Sequence, residues 1–398
     1  MARAGRRRVA LLATAIAAFG GFAPAAAAED LVPLPPQPTG VAWPTERWPE
    51  GGLAPDVDRA ALGRAVATAF AASGRGGPDT RALLLVRGGR IVFERYAEGF
   101  GPDSRFHSWS MAKSFTQALV GLLVGRGELS LDAPAPVPAW QGPRDPRGEI
   151  TLRHLLHMSS GVDNGDVAGD AGGSDRGGNS FVADLLFGEG ARDTASYASA
   201  RPLLHPPGSH WAYSTGTTTI VASIVSRAAG PDVAARAGFM RAALFGPIGM
   251  RSAAFGFDAA GTHLGGSHLY ATARDYARFG LLYLRDGVWE GRRLLPEGWV
   301  DFARTPAPVA NNGTYGAHFW LNRTPKEDQF QLLPGGPPSV FAVTGNAGQL
   351  VLIVPTHDLL AVRLGEHQAT TWSETNHYMA DLVAAFPPIG STAPGDGR

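Results

Sequence analysis

The chain lacks cysteine altogether, and its basic and acidic residues balance. Without cysteine it has no disulfide bond, no thiolate zinc site, no cysteine nucleophile and no N-terminal cysteine that could carry a lipid. The 35 Lys and Arg residues equal the 35 Asp and Glu residues, so no basic excess is present to displace counterions from a nucleic acid. Nucleic acid is therefore not an expected partner. Hydrophobic residues make up 44% of the 398 residues, which is enough for a packed core.

Lysine is almost absent as well. Lys113 and Lys326 are the two lysines, so arginine supplies nearly every basic side chain. An arginine stays protonated near neutral pH, whereas a lysine that loses its solvation can become a neutral amine. A lysine retained in so arginine-rich a chain is a candidate for chemistry that arginine cannot perform. The alternative is an accident of mutation.

The N-terminal residues have the pattern of an export signal. Residues 1–28 combine a basic start, an apolar stretch over residues 9–22 and an Ala-rich cleavage site at residues 25–28. An uncleaved membrane anchor is the alternative, and the arginines at residues 6–8 also permit twin-arginine export. No later apolar run approaches the ~18–20 residues of a membrane span. We therefore expect an exported protein, periplasmic or secreted, with no membrane contact once the signal is removed.

A single folded domain is predicted over residues 56–388. A Pro-rich lead-in over residues 29–55 precedes it, and residues 389–398 are expected to form a flexible tail. Inside the domain, residues 165–178 contain Gly, Asp and Ser with almost no large apolar side chain. Such a stretch is typical of either a lid or a disordered loop.

Strand patterns near both ends of this domain indicate its architecture. Runs of Val, Ile, Leu and Phe around short turns predict one strand pair at residues 81–96 and another at residues 349–364. Residues 114–300 between them are mostly helical in pattern. The arrangement predicts an α/β fold of the α+β type, with an antiparallel sheet built from both chain ends, flanking helices and an inserted helical lobe.

Ser110 and Lys113 form the main catalytic candidate. They stand three residues apart at the start of an apolar helical pattern that continues to residue 124. Residues i and i+3 lie on one helix face, with about 5–6 Å between their Cβ atoms, so the amine can reach the hydroxyl. Burial would lower the pKa of Lys113, and a neutral amine beside a hydroxyl makes an activated nucleophile. The alternative is an N-cap serine with a surface lysine.

Two further segments contain candidate site residues. Tyr213 lies at a turn before another apolar helical pattern, where its hydroxyl can point into a cleft and relay protons; a packing tyrosine is the alternative. The Gly-rich segment 345–348 enters an apolar strand that we interpret as an edge strand, which a substrate can approach closely. The N–H of Gln349 could then join that of Ser110 in an oxyanion hole. An ordinary Gly-rich strand entry is the alternative.

The order of these motifs resembles that of the penicillin-recognising serine hydrolases. A Ser-x-x-Lys pair, a later Tyr and a Gly-containing strand near the C-terminus occur in that order. Residues 108–115, 151–161, 270–280 and 348–349 carry the resemblance, which covers roughly residues 55–385. It is to the branch that contains class C β-lactamases, D-alanyl-D-alanine peptidases, related esterases and 6-aminohexanoate-dimer hydrolases. The resemblance implies the β-lactamase/transpeptidase-like fold.

The resemblance also implies a role for each candidate residue. Ser110 would be the acylated nucleophile and Lys113 its base. Tyr213 would pass the proton to the leaving group and help to activate water. The backbone N–H groups of Ser110 and Gln349 would hold the oxyanion.

Two positions depart from the pattern of the family's β-lactamases. Those enzymes place Asn two residues after the Tyr, where this chain has Thr215, and Lys-Thr-Gly or His-Thr-Gly on the strand, which we align with Asn346, Ala347 and Gly348. Thr215, Asn346 and Gly348 are thus the predicted substrate-binding positions. The missing cation would hold a β-lactam carboxylate, and a hydrogen bond to a charged group contributes ~1.5–3 kcal/mol. Strong β-lactamase activity is therefore disfavoured.

The predicted function is that of an exported serine hydrolase that cleaves a small amide or ester, similar to the 6-aminohexanoate-dimer hydrolase and esterase branch. One alternative is a D-alanyl-D-alanine carboxypeptidase or weak class C-type β-lactamase; another is a non-catalytic binding protein on the same fold. No metal or cofactor is expected, because no Asp or Glu completes a zinc set with His154 and His157 and no nucleotide-binding motif occurs. A small-molecule substrate is the predicted partner, and the oligomeric state stays open.

Overall fold

The computed structural model describes residues 31–71, 79–164, 181–310, 313–323, 331–366 and 372–390. The predicted export signal, the candidate lid at residues 165–178 and most of the predicted tail lie outside these residues. The helices are α1 (Arg59–Ala69), α2 (Ala112–Gly125), α3 (Leu152–Leu156), α4 (Phe181–Phe187), α5 (Thr194–Ser199), α6 (Thr215–Ala229), α7 (Val233–Met240), α8 (Ala273–Leu284), α9 (Trp299–Arg304) and α10 (Trp372–Ala384). The strands are β1 (Thr80–Arg87), β2 (Arg90–Tyr96), β3 (Arg105–His107), β4 (Ala254–Phe255), β5 (Leu269–Thr272), β6 (Val288–Trp289), β7 (Arg292–Arg293), β8 (Trp320–Leu321), β9 (Phe341–Gly345), β10 (Gln349–Val354) and β11 (Leu359–Gly365).

The main sheet joins the two ends of the chain, as predicted. Its strand order is β2-β1-β11-β10-β9-β8, and the neighbouring strands are antiparallel. The first strand of the domain, β1, pairs directly with the last, β11, so that Leu84 lies opposite Val362. Helices and two small sheets, β3-β5-β4 and β6-β7, occupy the sequence between them. The predicted α/β architecture is confirmed.

Both faces of this sheet are covered, which explains why its strands are continuous apolar runs rather than alternating ones. Leu83 and Leu85 of β1 belong to a core cluster shared with α1 and α10 on one face. Leu84 and Val86 point the other way and join the larger cluster that contains α8 and the helical lobe. Because successive side chains point to opposite faces of the sheet, each apolar strand contributes residues to both cores.

Helix α2 is the central helix of the lobe. Every residue from Ala112 to Leu123 is buried, including Lys113 and Gln117. Its ring contacts include Phe115 against Phe279 of α8, with centroids 3.7 Å apart. A helix enclosed on all sides holds its first turn rigidly and away from solvent, and this turn contains Lys113.

The Pro-rich lead-in is extended and packs onto the domain. Arginine side chains bind its backbone carbonyls: Arg278 Nε donates to Pro44 O (2.8 Å) and Arg285 Nη1 to Pro35 O (3.0 Å). Trp48 is buried, and its Nε1 donates to the carbonyl of Arg274 (3.1 Å). In the described part of the chain, no helix combines the length and apolar character needed to cross a membrane.

Acid should destabilise this fold through its buried histidines. Burial lowers the pKa of His157, His263 and His318 to about 3, well below the usual value near 6.5. The folded state therefore binds fewer protons than the unfolded chain. Stability is fully present above pH 6.5 and falls as the pH drops from 6.5 towards 3, by about 1 kcal/mol per pH unit for each histidine. Chemical denaturation at pH 7 and pH 5 should show this loss.

The matched variants are His263→Gln and His377→Gln. His263 is buried between Ser226 and Thr116, and its replacement by glutamine should flatten the pH dependence. His377 is exposed on α10, so its replacement should leave the dependence as it is. Equal stability of the wild type at pH 7 and pH 5 would contradict the assignment.

Candidate active site

The predicted nucleophile lies in a turn that is pinned to β5. Ser108 follows β3, its N–H donates to Leu269 O (2.8 Å), and its Oγ accepts from Leu269 N (3.0 Å). Trp109 then adopts a left-handed conformation with φ 47°, and residues Trp109–Met111 make one 3-10 turn before α2. Ser110 lies in this turn and is half-buried. The structure thus places Ser110 directly before the buried helix, within reach of its first turn.

Lys113 is buried against Ser110. Lys113 is 1% exposed, and its Nζ lies 3.1 Å from Ser110 Oγ. The amine also lies 2.8 Å from Thr215 Oγ1 and 2.8 Å from Gly266 O. Met111, not a serine, occupies the N-cap position of α2. The alternative of an N-cap serine beside a surface lysine is therefore wrong.

With these contacts the amine can act as a base once it is neutral. A neutral amine has two N–H groups, which can donate to Thr215 Oγ1 and Gly266 O, and one lone pair, which can accept the hydroxyl proton of Ser110. The arrangement is therefore suited to removing a proton from Ser110 Oγ.

Two adjacent glycines present the carbonyl that binds Lys113. A Cβ on Gly265 would lie 2.3 Å from Thr116 Oγ1 of α2, and one on Gly266 would lie 2.8 Å from Thr215 Cγ2 of α6. Thr116 Oγ1 also donates to Gly265 O (3.0 Å). Only glycine lets this loop pass so close to both helices. Gly266 was not predicted as a site residue, although a Gly-Gly pair indicates a close approach of the backbone.

The structure brings Tyr213 together with Lys113. The lysine Nζ lies 4.9 Å from the centroid of the Tyr213 ring. That ring also packs against Tyr315 (centroids 5.9 Å apart) and Trp320 (5.5 Å). Tyr213 precedes Ser214, whose Oγ caps α6 by accepting from Thr217 N (2.8 Å). The capped helix start therefore holds Tyr213 beside the amine.

A neutral histidine lies behind this group. Burial is the main cause that lowers the pKa of His318 to about 3. The hydrogen bond to Leu156 opposes this shift, and a positive charge on Lys113 adds to it. His318 Nδ1 donates to Leu156 O (2.8 Å), so its Nε2 accepts from Thr218 Oγ1 (3.0 Å). Near neutral pH the ring adds no second positive charge beside Lys113.

Strand β9, rather than β10, lies against the nucleophile turn. A Cβ on Gly345, the last residue of β9, would lie 2.2 Å from Ser108 O and 3.3 Å from Met111 Cγ. Strand β10 lies between β9 and β11 in the sheet. The prediction that Gln349 enters an edge strand was therefore wrong. Gln349 is 3% exposed, and its side-chain amide bonds both backbone groups of Gly365.

The predicted substrate-binding positions fall in different surroundings. Asn346 is exposed and Gly348 is buried, and both belong to a 3-10 turn between β9 and β10 rather than to a strand. The buried guanidinium of Arg363 holds this turn, because its Nη1 donates to Ala347 O (3.0 Å) and Gly348 O (2.9 Å). Thr215 is 3% exposed and contacts Lys113.

The alignment with the family's Lys-Thr-Gly therefore needs correction. The strand residues beside the nucleophile turn are Val343, Thr344 and Gly345, and Asn346 follows them. None of these four residues carries a charge. The predicted lack of a cation therefore applies to residues 343–346 instead of residues 346–348. The described residues contain no cluster of three or more His, Cys, Asp or Glu that could hold a metal ion.

The chain matches a family model and two curated relatives. A family model described as Beta-lactamase matches residues 64–386. Esterase EstB of Burkholderia gladioli is 33% identical over 187 residues, which are 43% of this chain and 46% of the esterase. The 6-aminohexanoate-dimer hydrolase of Paenarthrobacter ureafaciens is 28% identical over 235 residues, 56% of each chain. These alignments thus span about half the length of each relative.

Solved structures agree in fold. A penicillin-binding protein homolog from Caulobacter crescentus has a TM-score of 0.60 at 17% identity, over 84% of this chain and 99% of that one. A family VIII carboxylesterase has a TM-score of 0.61 at 14% identity, over 85% and 99%. The matched family model covers the sheet, α2 and every candidate site residue. The chain therefore belongs to the Beta-lactamase family.

Proposed function

We propose that this protein is a serine hydrolase that cleaves a small amide or ester through an acyl-enzyme on Ser110. The observation that carries the proposal is the buried Lys113 amine, 3.1 Å from Ser110 Oγ. The names of the two relatives, an esterase and an amide-dimer hydrolase, support the substrate class.

Acylation begins with proton transfer from Ser110 to Lys113. As Ser110 Oγ attacks the substrate carbonyl, the O–H proton moves to the lysine lone pair, and a tetrahedral intermediate with a negative oxygen forms. The lysine proton then passes to the departing alkoxide or amine, with the Tyr213 hydroxyl as the proposed relay. The bond to the leaving group breaks and an ester on Ser110 remains.

Deacylation reverses the proton path. Water takes the place of the leaving group and loses a proton to Lys113, directly or through the Tyr213 hydroxyl as a relay, as it attacks the Ser110 ester. The acid product departs when Ser110 Oγ recovers its proton from Lys113. Atoms balance over the cycle, because one water is consumed for each amide or ester bond that is cleaved.

The oxyanion requires two backbone donors. The N–H of Ser110 is the first, as predicted from the sequence. The close approach of Gly345 to Ser108 supports the N–H of Asn346, the next residue, as the second donor. Strand β10 has a neighbouring strand along both sides, whereas β8 pairs only with Phe341 and Ala342 at the start of β9, and this difference argues against the predicted Gln349 N–H. Removal of one such donor typically costs 10²–10³-fold in kcat, roughly 3–4 kcal/mol.

A β-lactamase or D-alanyl-D-alanine carboxypeptidase is the weaker proposal. Those substrates carry a carboxylate, and residues 343–346, at the end of β9 and in the turn after it, are uncharged. Loss of a charged hydrogen bond of ~1.5–3 kcal/mol lowers binding roughly ten- to hundredfold. Nitrocefin should therefore be a poor substrate beside a p-nitrophenyl ester, and a fast, long-lived penicillin adduct would reverse this ranking.

Covalent labelling tests the nucleophile directly. We expect a fluorophosphonate to add one adduct to the intact protein, at Ser110, and the Ser110→Ala variant to remain unlabelled and lose hydrolysis of p-nitrophenyl acetate. Intact-mass spectrometry and peptide mapping measure both. Ser130→Ala, which removes an exposed hydroxyl after α2, is the matched control and should label as the wild type does.

Two outcomes would overturn the assignment. Labelling that survives in Ser110→Ala places the nucleophile elsewhere. An inert Ser110 in a folded protein that still binds amides or esters favours the non-catalytic binding protein. A parallel screen with 6-aminohexanoate dimer separates amide from ester cleavage.

A further inference from the structure

Five rings form a continuous strip beside the nucleophile turn. The His107 ring centroid lies 4.5 Å from that of Trp109, 4.8 Å from that of Tyr270 and 4.9 Å from that of His268. The Phe187 ring extends the strip, with its centroid 6.3 Å from that of His268. We call these five residues the aromatic strip.

The inner part of the strip adjoins the catalytic candidates. Trp109 is the residue directly before Ser110, and its left-handed backbone, with φ 47°, is uncommon for a bulky residue. Such a conformation persists where the surrounding structure enforces it, and it often marks a functional site. His268 follows Gly266, the carbonyl partner of Lys113, by two residues. The strip therefore starts at the reacting groups and leads outward.

The outer part of the strip is exposed although it is apolar. Phe187 is 68% exposed and Tyr270 is 42% exposed. Phe187 is the last residue of α4, and Tyr270 projects from the short strand β5. A contiguous group of exposed rings next to a nucleophile is typical of a binding surface, whereas single exposed apolar residues need no explanation.

The strip is uncharged near neutral pH. Burial, with the neighbouring His268 as a further cause, lowers the pKa of His107 to about 4. Burial also lowers the pKa of His268 from its usual value. Both imidazoles are therefore neutral, and the rings offer flat faces and edges to a ligand rather than a cation.

A second aromatic group lies on the lysine side of the nucleophile. Tyr213, Tyr315 and Trp320 pack against one another there, and Tyr213 contacts Lys113. That group contains the proposed proton relay and is tied to the chemistry. The aromatic strip contains none of the groups assigned to proton transfer. Its residues can therefore serve substrate selectivity alone.

We propose that the aromatic strip binds an uncharged aromatic group of the substrate and sets the preference of the enzyme for aryl over small alkyl substrates. This inference rests on the proposed function, because the occupant is one side of the scissile ester or amide. Offset and edge-to-face ring contacts stabilise the bound group. The aryl group could belong to the acyl part or to the leaving group, and the test has an arm for each.

Matched ester pairs test the selectivity. In the acyl arm, ethyl phenylacetate is compared with ethyl acetate; in the leaving-group arm, 2-naphthyl acetate is compared with ethyl acetate. We expect Phe187→Ala and Tyr270→Ala to lower kcat/KM for the aryl ester of one arm roughly 3- to 10-fold, the effect of losing one ring contact. The kcat/KM of the paired alkyl ester should change by less than twofold, which is no more than the smallest effect expected from the loss of one ring contact.

Controls separate the strip from the fold. Val233→Ala removes an exposed apolar side chain on α7 and should change neither member of a pair. Phe187→Trp should restore the aryl preference. An equal loss on aryl and alkyl esters, or no loss on either, overturns the inference. A change in oligomeric state without a change in selectivity also overturns it, because the strip would then be an interface between copies.

Binding to Ser110→Ala keeps this inference distinguishable from the proposed function. Quenching of tryptophan fluorescence by 2-naphthyl acetate measures binding without turnover. Weaker binding after Phe187→Ala in the Ser110→Ala background supports the strip even if Ser110 proves inert in the wild type. Unchanged binding, in an active hydrolase whose aryl selectivity survives Phe187→Ala in both arms, overturns the strip and leaves the proposed function intact.

Discussion

Replacement of Lys113 by arginine should abolish turnover although it keeps a basic side chain. The guanidinium stays protonated near neutral pH and has no lone pair to accept the Ser110 proton. We expect kcat/KM for p-nitrophenyl acetate to fall about 10²- to 10⁴-fold, which is the contribution of a positioned general base. The rate of fluorophosphonate labelling should fall in parallel, since it reports the nucleophilicity of the same oxygen.

Folding of the variant must be checked, because Lys113 is 1% exposed and arginine is larger. Lys113→Met removes the amine at similar volume, and we expect it to be inactive while its thermal unfolding stays cooperative. In the wild type, the acid limb of the pH profile of kcat/KM should report the ionisation of the free enzyme's base, and this limb should be absent from the residual activity of Lys113→Met. A Lys113→Arg variant with more than about a tenth of wild-type kcat/KM would contradict the role of the lysine as general base.

Gly345→Ala should have the second largest effect. The added Cβ would lie 2.2 Å from the carbonyl oxygen of Ser108, and real Cβ atoms essentially never approach closer than 3.0 Å. Both groups belong to the backbone, so β9 or the nucleophile turn must shift by about 1 Å, and such a misplacement can cost about 10²-fold in rate. We expect kcat to fall by that factor, with a loss of roughly 1–3 kcal/mol in stability from overpacking.

Gly63→Ala is the matched control. Gly63 lies in α1 on the other face of the sheet, and a Cβ there meets nothing within 4 Å. Alanine is about 1 kcal/mol more favourable than glycine inside a helix, so this variant should be slightly more stable and fully active. Calorimetry and steady-state kinetics compare the two. Wild-type kcat in Gly345→Ala would show that β9 does not constrain the nucleophile.

Local patterns predicted most of the fold correctly. The strand pairs at residues 81–96 and 349–364 occur as β1-β2 and β10-β11, because each pair is joined by a short turn and consists of residues that favour strands. Their union into one sheet also follows from the pattern, since each pair alone leaves unpaired backbone N–H and C=O groups along its edges. The apolar run after Ser110 predicted the helix, and the scarcity of lysine identified Lys113 as a candidate.

The errors concern relations between segments that are distant in sequence. The apolar run of β10 does not disclose that β9 and β11 flank it, so Gln349 was assigned to an edge strand. The same uncertainty in strand position aligned Asn346 with a motif that falls on residues 343–345. Gly266 was not predicted, because its role depends on a backbone carbonyl, which every residue has. It also depends on the passage of its loop between α2 and α6.

The amino-acid sequence by itself determined the type of fold, the buried helix and the pairing of Ser110 with Lys113, because a spacing of three residues on a helix decides which side chains meet. The tertiary structure alone decided which strand borders the nucleophile, which carbonyl binds the lysine, and where the aromatic strip lies. Most of those contacts join segments that are distant in sequence, as between Lys113 and Gly266. Their geometry is set by packing across the whole core, and no local periodicity records it.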